Sequence, residues 1–177
     1  MRTLPRFTGL LAGTLLLGCG RPDADPTTPR DVTIPVYAIH EADNFSAAPL
    51  RGENEVPPVD TKAVGQASFH LRNDGQTVDY VVTVSNMVGV TQSHIHIGPP
   101  GVNGPIVVFL FGLVPAGVDV TGLLAKGSFT QADLIPRPAI GFGGTLAELL
   151  AAMRSGNAYA NVHTLAHPGG EIRAQIR

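Results

Sequence analysis

The stretch ASFHLRNDGQTVDYVVTV, residues 67–84, decides the fold class of this chain. Apolar and polar residues alternate on both sides of Asn73-Asp74-Gly75, and a period of two is typical of strands that bury one face. An Asn-Asp-Gly cluster between two such runs indicates the turn of a β-hairpin. We therefore predict two adjacent antiparallel strands. Their buried faces contain Ala67, Phe69 and Leu71 on the first strand and Val78, Tyr80, Val82 and Val84 on the second.

Similar short runs continue along the chain. Residues 105–112, 157–164 and 171–177 are apolar or alternating, and Gly, Pro, Asn or Asp residues bound them. Several short strands with turn signals between them favour an all-β fold. We expect an antiparallel sandwich or barrel.

One segment, TLAELLAAMRSG at residues 145–156, has the period of a helix instead. Thr145 and Glu148 stand three residues apart, as in a capping box, and Gly156 is a typical stop signal. Between them, four apolar residues recur at helical spacing: Leu146, Leu149, Leu150 and Met153. We predict one short helix near residues 145–155, with this apolar stripe facing the core.

Residues 1–18 have the pattern of a secretory signal peptide. Arg2 and Arg6 precede an apolar run that is shorter than the roughly 20 residues a membrane-spanning helix needs. The sequence LLGC at residues 16–19 resembles the lipobox of bacterial lipoproteins, in which the cysteine is diacylated and becomes the new N-terminus. The resemblance implies that Cys19, the only cysteine of the chain, is a lipid anchor carrying chains such as palmitate. Two or more acyl chains give stable membrane anchoring.

Residues 19–31 begin with the lipidated Cys19 and continue with three prolines, several charges and no apolar residue larger than alanine. Such a segment cannot bury surface and is predicted to be a flexible tether. We place the folded domain at residues 32–177. Because Gly20 rather than an aspartate follows the cysteine, the resemblance to lipoproteins favours the outer membrane of a bacterial cell envelope. The sequence leaves periplasmic and surface orientations open.

The charge distribution argues against a nucleic-acid partner. The 177 residues hold 12 basic and 14 acidic side chains, and the basic ones are scattered singly. A surface that binds nucleic acid needs clustered basic residues. We therefore expect two kinds of partner, the membrane through the lipid anchor and an unidentified protein or ligand.

The sequence SHIHIG, residues 93–98, places two histidines on one face of a strand. Because side chains alternate along a strand, His94 and His96 share a face, and His163 lies on the polar face of residues 157–164. The three imidazoles converge if these two strands are neighbours. Three neutral imidazoles are common ligands of Zn or Cu. The pattern therefore predicts a metal site, which Glu171 or His167 would complete or orient.

A second interpretation of the same residues needs no ion. Asn161 and His163 lie on one strand of a predicted hairpin, and Glu171 and Arg173 lie on the other. These side chains can satisfy one another by hydrogen bonds across the strands. In this interpretation Asn161, Glu171 and Arg173 join the histidines in a purely structural polar seam. Both interpretations stay open at this point.

The sequence gives little support for a catalytic site. Ser93 and His94 are adjacent on a strand and point to opposite faces, which separates a nucleophile from its base. Glu53 and Glu55 are a conceivable acid pair, but charged residues beside a turn are usually solvated. Glu55 has a further interpretation, as a brace for the histidine strip. We therefore expect a protein without enzymatic activity.

Three blocks together resemble a known family: LRGENEVPPV (residues 50–59), SHIHIGPPGVNGPIVVFL (93–110) and GNAYANVHTLAHPGGEIRAQI (156–176). They are similar to the bacterial CHRD domain, which is named for its occurrence in chordin. The resemblance implies an all-β domain, with an immunoglobulin-like arrangement as one option, in a secreted or anchored protein. We expect a non-enzymatic, envelope-anchored binding or scaffolding module. The alternative is a Zn or Cu protein using His94, His96 and His163.

Overall fold

The structure of the protein is a computed structural model that describes residues 44–177. The predictions for the signal peptide at residues 1–18 and for the lipidated cysteine and tether at residues 19–31 lie outside the described residues. The predicted start of the domain at residue 32 lies outside them as well.

The described residues form seven strands and one α-helix. Three 3₁₀ turns lie between them, at Gly52–Asn54, Gln131–Asp133 and Pro138–Ile140. The elements in chain order are β1 (Asn44–Arg51), β2 (Val64–Leu71), β3 (Thr77–Ile97), β4 (Ile106–Phe111), β5 (Val118–Thr130), α1 (Leu146–Arg154), β6 (Ala158–Thr164) and β7 (Ile172–Gln175).

Five of the strands close into a barrel. Their order is β2-β1-β7-β6-β3, and β2 also pairs with β3, which completes the ring. Strands β4 and β5 attach to β3 outside this ring. Every strand pairing in the described part of the chain is antiparallel. The predicted all-β, antiparallel class is therefore confirmed, in its barrel form.

Strand β3 connects the two ends of the molecule. Its first half pairs with β2 and β5, and its second half pairs with β6 and β4. Between the halves, Asn86 and Gly89 have positive φ angles of 58° and 66°. The register of the β3–β5 pairing shifts at the same point, which is typical of β-bulges. The bulged centre allows one strand of 21 residues to serve two sets of neighbours.

The predicted hairpin is confirmed with its two buried faces. Ala67 lies opposite Val82, and Leu71 lies opposite Val78, all four buried in the core. The turn is held by Asp74, whose Oδ1 accepts hydrogen bonds from the backbone N–H groups of residues 76 and 77 at 2.8 and 2.9 Å. A short side chain that binds the backbone ahead of it is the reason that Asp favours turns.

Helix α1 is confirmed together with its capping box. Thr145 Oγ1 accepts a hydrogen bond from the Glu148 N–H at 3.2 Å, and Glu148 Oε2 accepts one from the Thr145 N–H at 3.0 Å. The four apolar residues of the predicted stripe are buried. The helix has nine residues. No helix in the described part of the chain is long and apolar enough to cross a membrane.

Candidate metal centre

The three histidines predicted as ligands lie together on the outer face of the β3–β6 pair. His94 lies opposite Asn161 in the antiparallel register. The intervening Ile95 belongs to the hydrophobic core. Because side chains alternate along each strand, His94, His96 and His163 occupy the face away from that core. On that face they contact both loops and strands: the carbonyls of Gly104 and Pro168, and the rings of Phe109 and Tyr159.

Burial keeps these three rings neutral. His94, His96 and His163 expose 0%, 7% and 5% of their surface. Desolvation of the charged form lowers the pKa of His94 to about 3 and that of His96 to about 4. The same cause lowers the pKa of His163. All three imidazoles are therefore uncharged at pH 7, the form in which a histidine binds a metal ion.

Two backbone carbonyls decide which nitrogen carries the proton. His96 Nδ1 donates a hydrogen bond to the Gly104 carbonyl at 2.9 Å, and His163 Nδ1 donates one to the Pro168 carbonyl at 2.9 Å. A neutral imidazole has a single N–H, so Nε2 of each ring keeps its lone pair. Such an Nδ1–H···O=C contact is the usual way in which a protein orients a metal-binding histidine.

Asn161 adds a third acceptor to the same space. Its Oδ1 lies 3.0 Å from His96 Nε2 and 3.1 Å from His163 Nε2. An amide oxygen has no hydrogen to donate, so three lone-pair atoms face one another without a hydrogen between them. The other end of the Asn161 amide is hydrogen-bonded to the Glu55 carboxyl group. A cation bound by the two imidazole nitrogens would accept their lone pairs.

His94 cannot be satisfied by protons alone among the described residues. Its Nδ1 lies 3.1 Å from His163 Nε2, and its buried Nε2 has no hydrogen-bond partner. A proton on Nδ1 leaves Nε2 as an unpaired buried acceptor. A proton on Nε2 leaves an unpaired buried donor and sets the lone pairs of His94 and His163 face to face. Buried groups of this kind are costly, and each needs an explanation.

Glu55 is the buried acid beside this cluster. Only 5% of the residue is exposed, and burial raises the pKa of its carboxyl to about 7, although nearby Arg173 and the hydrogen bond from Asn161 act in the opposite direction. Its Oε1 has no hydrogen-bond partner among residues 44–177. The contact of Glu55, which the sequence offered as a brace for the histidine strip, is with Asn161. Glu53, with 75% of its side chain exposed, does not form an acid pair with it.

Gly170 makes room for the Glu55 carboxylate. A Cβ at this position would lie 2.5 Å from Glu55 Oε1 and 2.9 Å from Asn161 Nδ2. The φ angle of Gly170 is +125°, a conformation that residues with a side chain rarely adopt. Both space and backbone geometry therefore require glycine here.

Arg173 is the buried cation beside the site. Its guanidinium donates to the carbonyls of Val102 and Pro99 at 2.9 and 3.3 Å. Its Cζ lies 3.4 Å from the ring centroid of Tyr159, which in turn stacks on His96 at 4.6 Å and an interplanar angle of 7°. A buried cation, an aromatic ring and an imidazole thus form one stack. It ties β7, β6 and β3 to the loop after β3.

The predicted seam is only partly present. Asn161 and Arg173 lie opposite each other in the β6–β7 register. Glu171 lies apart from the histidines, because its carboxylate accepts hydrogen bonds from the hydroxyls of Thr61 and Thr164, both at 2.7 Å. The cluster of possible metal ligands within residues 44–177 contains His94, His96 and His163 but neither Glu171 nor His167. The expectation that one of these two residues completes the site is therefore not met.

Several members of the site have no signal in the sequence pattern. The carbonyls of Gly104 and Pro168 belong to loops, and any residue could in principle present the same acceptor. Glycine is nevertheless required at position 104, because a Cβ there would collide with the Ile97 carbonyl. Phe109, whose ring meets that of His94 edge to face at 4.6 Å, is placed by the register of β3 with β4.

Comparison with protein families gives one match. The family model described as the CHRD domain matches residues 46–176. The matched range includes all seven strands except the first two residues of β1, and every residue of the histidine cluster and its surroundings. Comparisons with curated proteins and with solved structures gave no match.

Proposed function

The chain belongs to the CHRD domain family, and on that premise we propose that it is a binding module of a bacterial cell envelope in which His94, His96 and His163 hold one Zn or Cu ion. The family suggests a binding module, and the histidine cluster suggests what is bound. The proposal needs no catalytic step.

One observation carries the proposal: three neutral, buried imidazoles converge, and His96 and His163 turn nitrogens without a hydrogen toward the same point. His96 Nε2 and His163 Nε2 both approach Asn161 Oδ1, and His94 retains a nitrogen without a partner. A purely structural network would pair each acceptor with a donor. A metal ion bound at His94 Nδ1, His96 Nε2 and His163 Nε2 accepts the three lone pairs that face one another; it leaves His94 Nε2 as the N–H of that ring.

The distances fit an ion after a modest adjustment. The candidate ligand atoms of the three histidines all lie within 4.8 Å of one another, and the contact between His94 Nδ1 and His163 Nε2 is 3.1 Å. With metal–nitrogen distances near 2 Å, tetrahedral ligand atoms stand about 3.3 Å apart. One pair already has this spacing. Binding therefore requires the remaining ring to move inward by at most about 1.5 Å.

Calorimetric melting tests the metal site. Zn²⁺ or Cu ions in excess should raise the melting temperature, because a ligand at 100 times its Kd stabilises the folded state by about 2.7 kcal/mol. His96→Ala should remove that gain. His70→Ala is the matched control, because His70 is an exposed histidine on β2, bonded to Asn44 and outside the cluster. Equal gains in wild type and His96→Ala would contradict the proposal.

The envelope anchor is a proposal from the N-terminal sequence. Support comes from the apolar leader of residues 1–18 and from the position of Cys19 at its end. Cys19→Ala should release the protein from the membrane fraction and abolish acylation, which metabolic labelling with palmitate measures. A Cys19→Ala protein that stays in the membrane fraction at unchanged apparent mass would rule out the lipid anchor.

The second candidate function is a scaffolding module that binds an unidentified protein or ligand and no metal. A cleft of about 630 Å³ beside the seam favours it, with Glu53, Arg173 and Arg177 among its lining residues. The two candidates differ in their response to chelators. The scaffold predicts a melting temperature that neither chelators nor added metal ions change, whereas the metal site predicts a change with both.

A further inference from the structure

We propose that the ion held by His94, His96 and His163 is Cu(I), in preference to Zn²⁺. This inference rests on the proposed metal site and deepens it. Three features of the site support it: the number and kind of ligands, the aromatic rings that cover two of them, and the charge already buried nearby.

The ligand set suits an ion of low coordination number. Within residues 44–177 the cluster offers three imidazoles and neither a carboxylate nor a thiolate. Zn²⁺ in a structural site takes four protein ligands, and in a catalytic site it takes three and a water. Asn161 Oδ1 is also close, but amide oxygens suit hard ions such as Mg²⁺ and Ca²⁺ better than copper. Three imidazoles alone satisfy Cu(I).

The surroundings do not favour a bound water. His94 is fully buried, and the ring of Phe109 meets it edge to face at 4.6 Å. Tyr159 covers His96 by parallel stacking at 4.6 Å. Apolar ring surfaces offer a water none of the two to four polar partners that hold one in place. A Zn²⁺ ion could therefore gain a water ligand only if these aromatic rings moved apart.

The nearby charge favours an ion with a single positive charge. Arg173 is buried, and its guanidinium lies 3.4 Å from the centroid of the Tyr159 ring that stacks on His96. Electrostatic repulsion is proportional to charge, so a divalent ion is repelled twice as strongly as a monovalent one. Glu55 is the nearby acid, and its carboxyl group is hydrogen-bonded to Asn161.

A competition between the two ions tests the inference on the full chain carrying Cys19→Ser, which removes its only thiol. The protein is loaded with Zn²⁺ and titrated with Cu(I) under anaerobic conditions, and both metals are measured after removal of unbound ions. We expect one equivalent of Cu(I) to displace nearly all of the bound Zn²⁺. X-ray absorption should then show Cu(I) with three nitrogen ligands.

The other outcomes separate this inference from the metal site itself. If Zn²⁺ stays bound in the presence of equimolar Cu(I), the Cu(I) assignment is overturned. The metal site itself stands in that case if His96→Gln abolishes Zn²⁺ binding and His70→Ala does not. Binding of neither ion overturns both. A copper spectrum with four or more ligands also contradicts the inference. The competition uses the unsubstituted histidines, so it is decisive even if a histidine variant fails to fold.

Discussion

His94 Nδ1 lies 3.1 Å from His163 Nε2, across the pair formed by β3 and β6. The carbonyl of Pro168 binds the other nitrogen of His163, so the facing nitrogen is an acceptor. The contact therefore requires either a proton on His94 Nδ1 or a metal ion bound by both nitrogens.

The first prediction concerns acid stability of the metal-free protein. In the unfolded chain a histidine takes up a proton near pH 6.5, but in the fold the pKa of His94 is about 3 and that of His96 about 4. Protons therefore favour the unfolded state, and each histidine costs about 1.4 kcal/mol per pH unit as pH falls from 6.5 toward 4. Urea unfolding between pH 7 and 4 should show this loss.

Glu55 offsets part of that loss, because its raised pKa of about 7 lets the folded state keep a proton that the unfolded chain releases above 4.5. His94→Gln should flatten the pH dependence. A slope that this substitution leaves unchanged would contradict the buried neutral state of His94.

The second prediction concerns Glu55→Gln. Wild type loses the contribution of the protonated Glu55 as pH rises from 4.5 through about 7, whereas glutamine does not titrate. The stability of Glu55→Gln relative to wild type should therefore increase by about 3 kcal/mol between pH 4.5 and pH 8. Glu53→Gln is the control, because most of its side chain is exposed. A constant difference across this range would show that Glu55 is solvated.

The third prediction concerns Gly170→Ala. The added Cβ would meet the Glu55 carboxylate at 2.5 Å on backbone with φ of +125°. We expect a loss of about 3 kcal/mol in the free energy of unfolding, from strain and overpacking together. Gly101→Ala separates the two causes, because Gly101 also has positive φ but a Cβ added there would meet nothing within 4 Å. Gly101→Ala should cost about 1 kcal/mol. Equal costs would mean that the contact with Glu55 is absent.

The fourth prediction concerns Arg173→Lys. Lysine keeps the charge but loses the planar fork that binds the carbonyls of Pro99 and Val102, and it stacks poorly on Tyr159. We expect a loss of about 2 kcal/mol, since buried carbonyls are left unpaired. Arg51→Lys, at an exposed ion pair of 4.0 Å with Glu53, should change stability by less than about 0.5 kcal/mol. Chemical denaturation of both variants compares them directly.

Local signals account for much of the fold prediction. The hairpin and α1 are confirmed because each contains its own turn or cap, at Asp74 and at Thr145 with Glu148. The sequence pattern does not predict strands β1 and β5. Strand β5 is exposed along much of its length and contains Gly122 and Gly127, so no apolar alternation marks it. Strand β1 has a register shift between Ala47 and Leu50, which interrupts its period.

The candidate site is predictable where it depends on strand alternation and not where it depends on loops. Alternation places His94, His96 and His163 on polar faces, and their convergence needs only that β3 and β6 pair. The carbonyls that orient two of the rings, and the burial of Glu55, depend on how loops return over the outer face. Glu171 is two residues from Arg173, so strand alternation also predicts Glu171 at the site. Glu171 lies before the start of β7, however, and its carboxylate binds Thr61 instead.

The metal content of the protein, purified without a histidine tag, tests the central claim most directly. Elemental analysis should find close to one Zn or Cu ion per chain in wild type and in His70→Ala, and almost none in His96→Ala. Wild-type protein with far less than one equivalent, unchanged by His96→Ala even after exposure to both metals, would contradict the assignment of His94, His96 and His163 as a metal site.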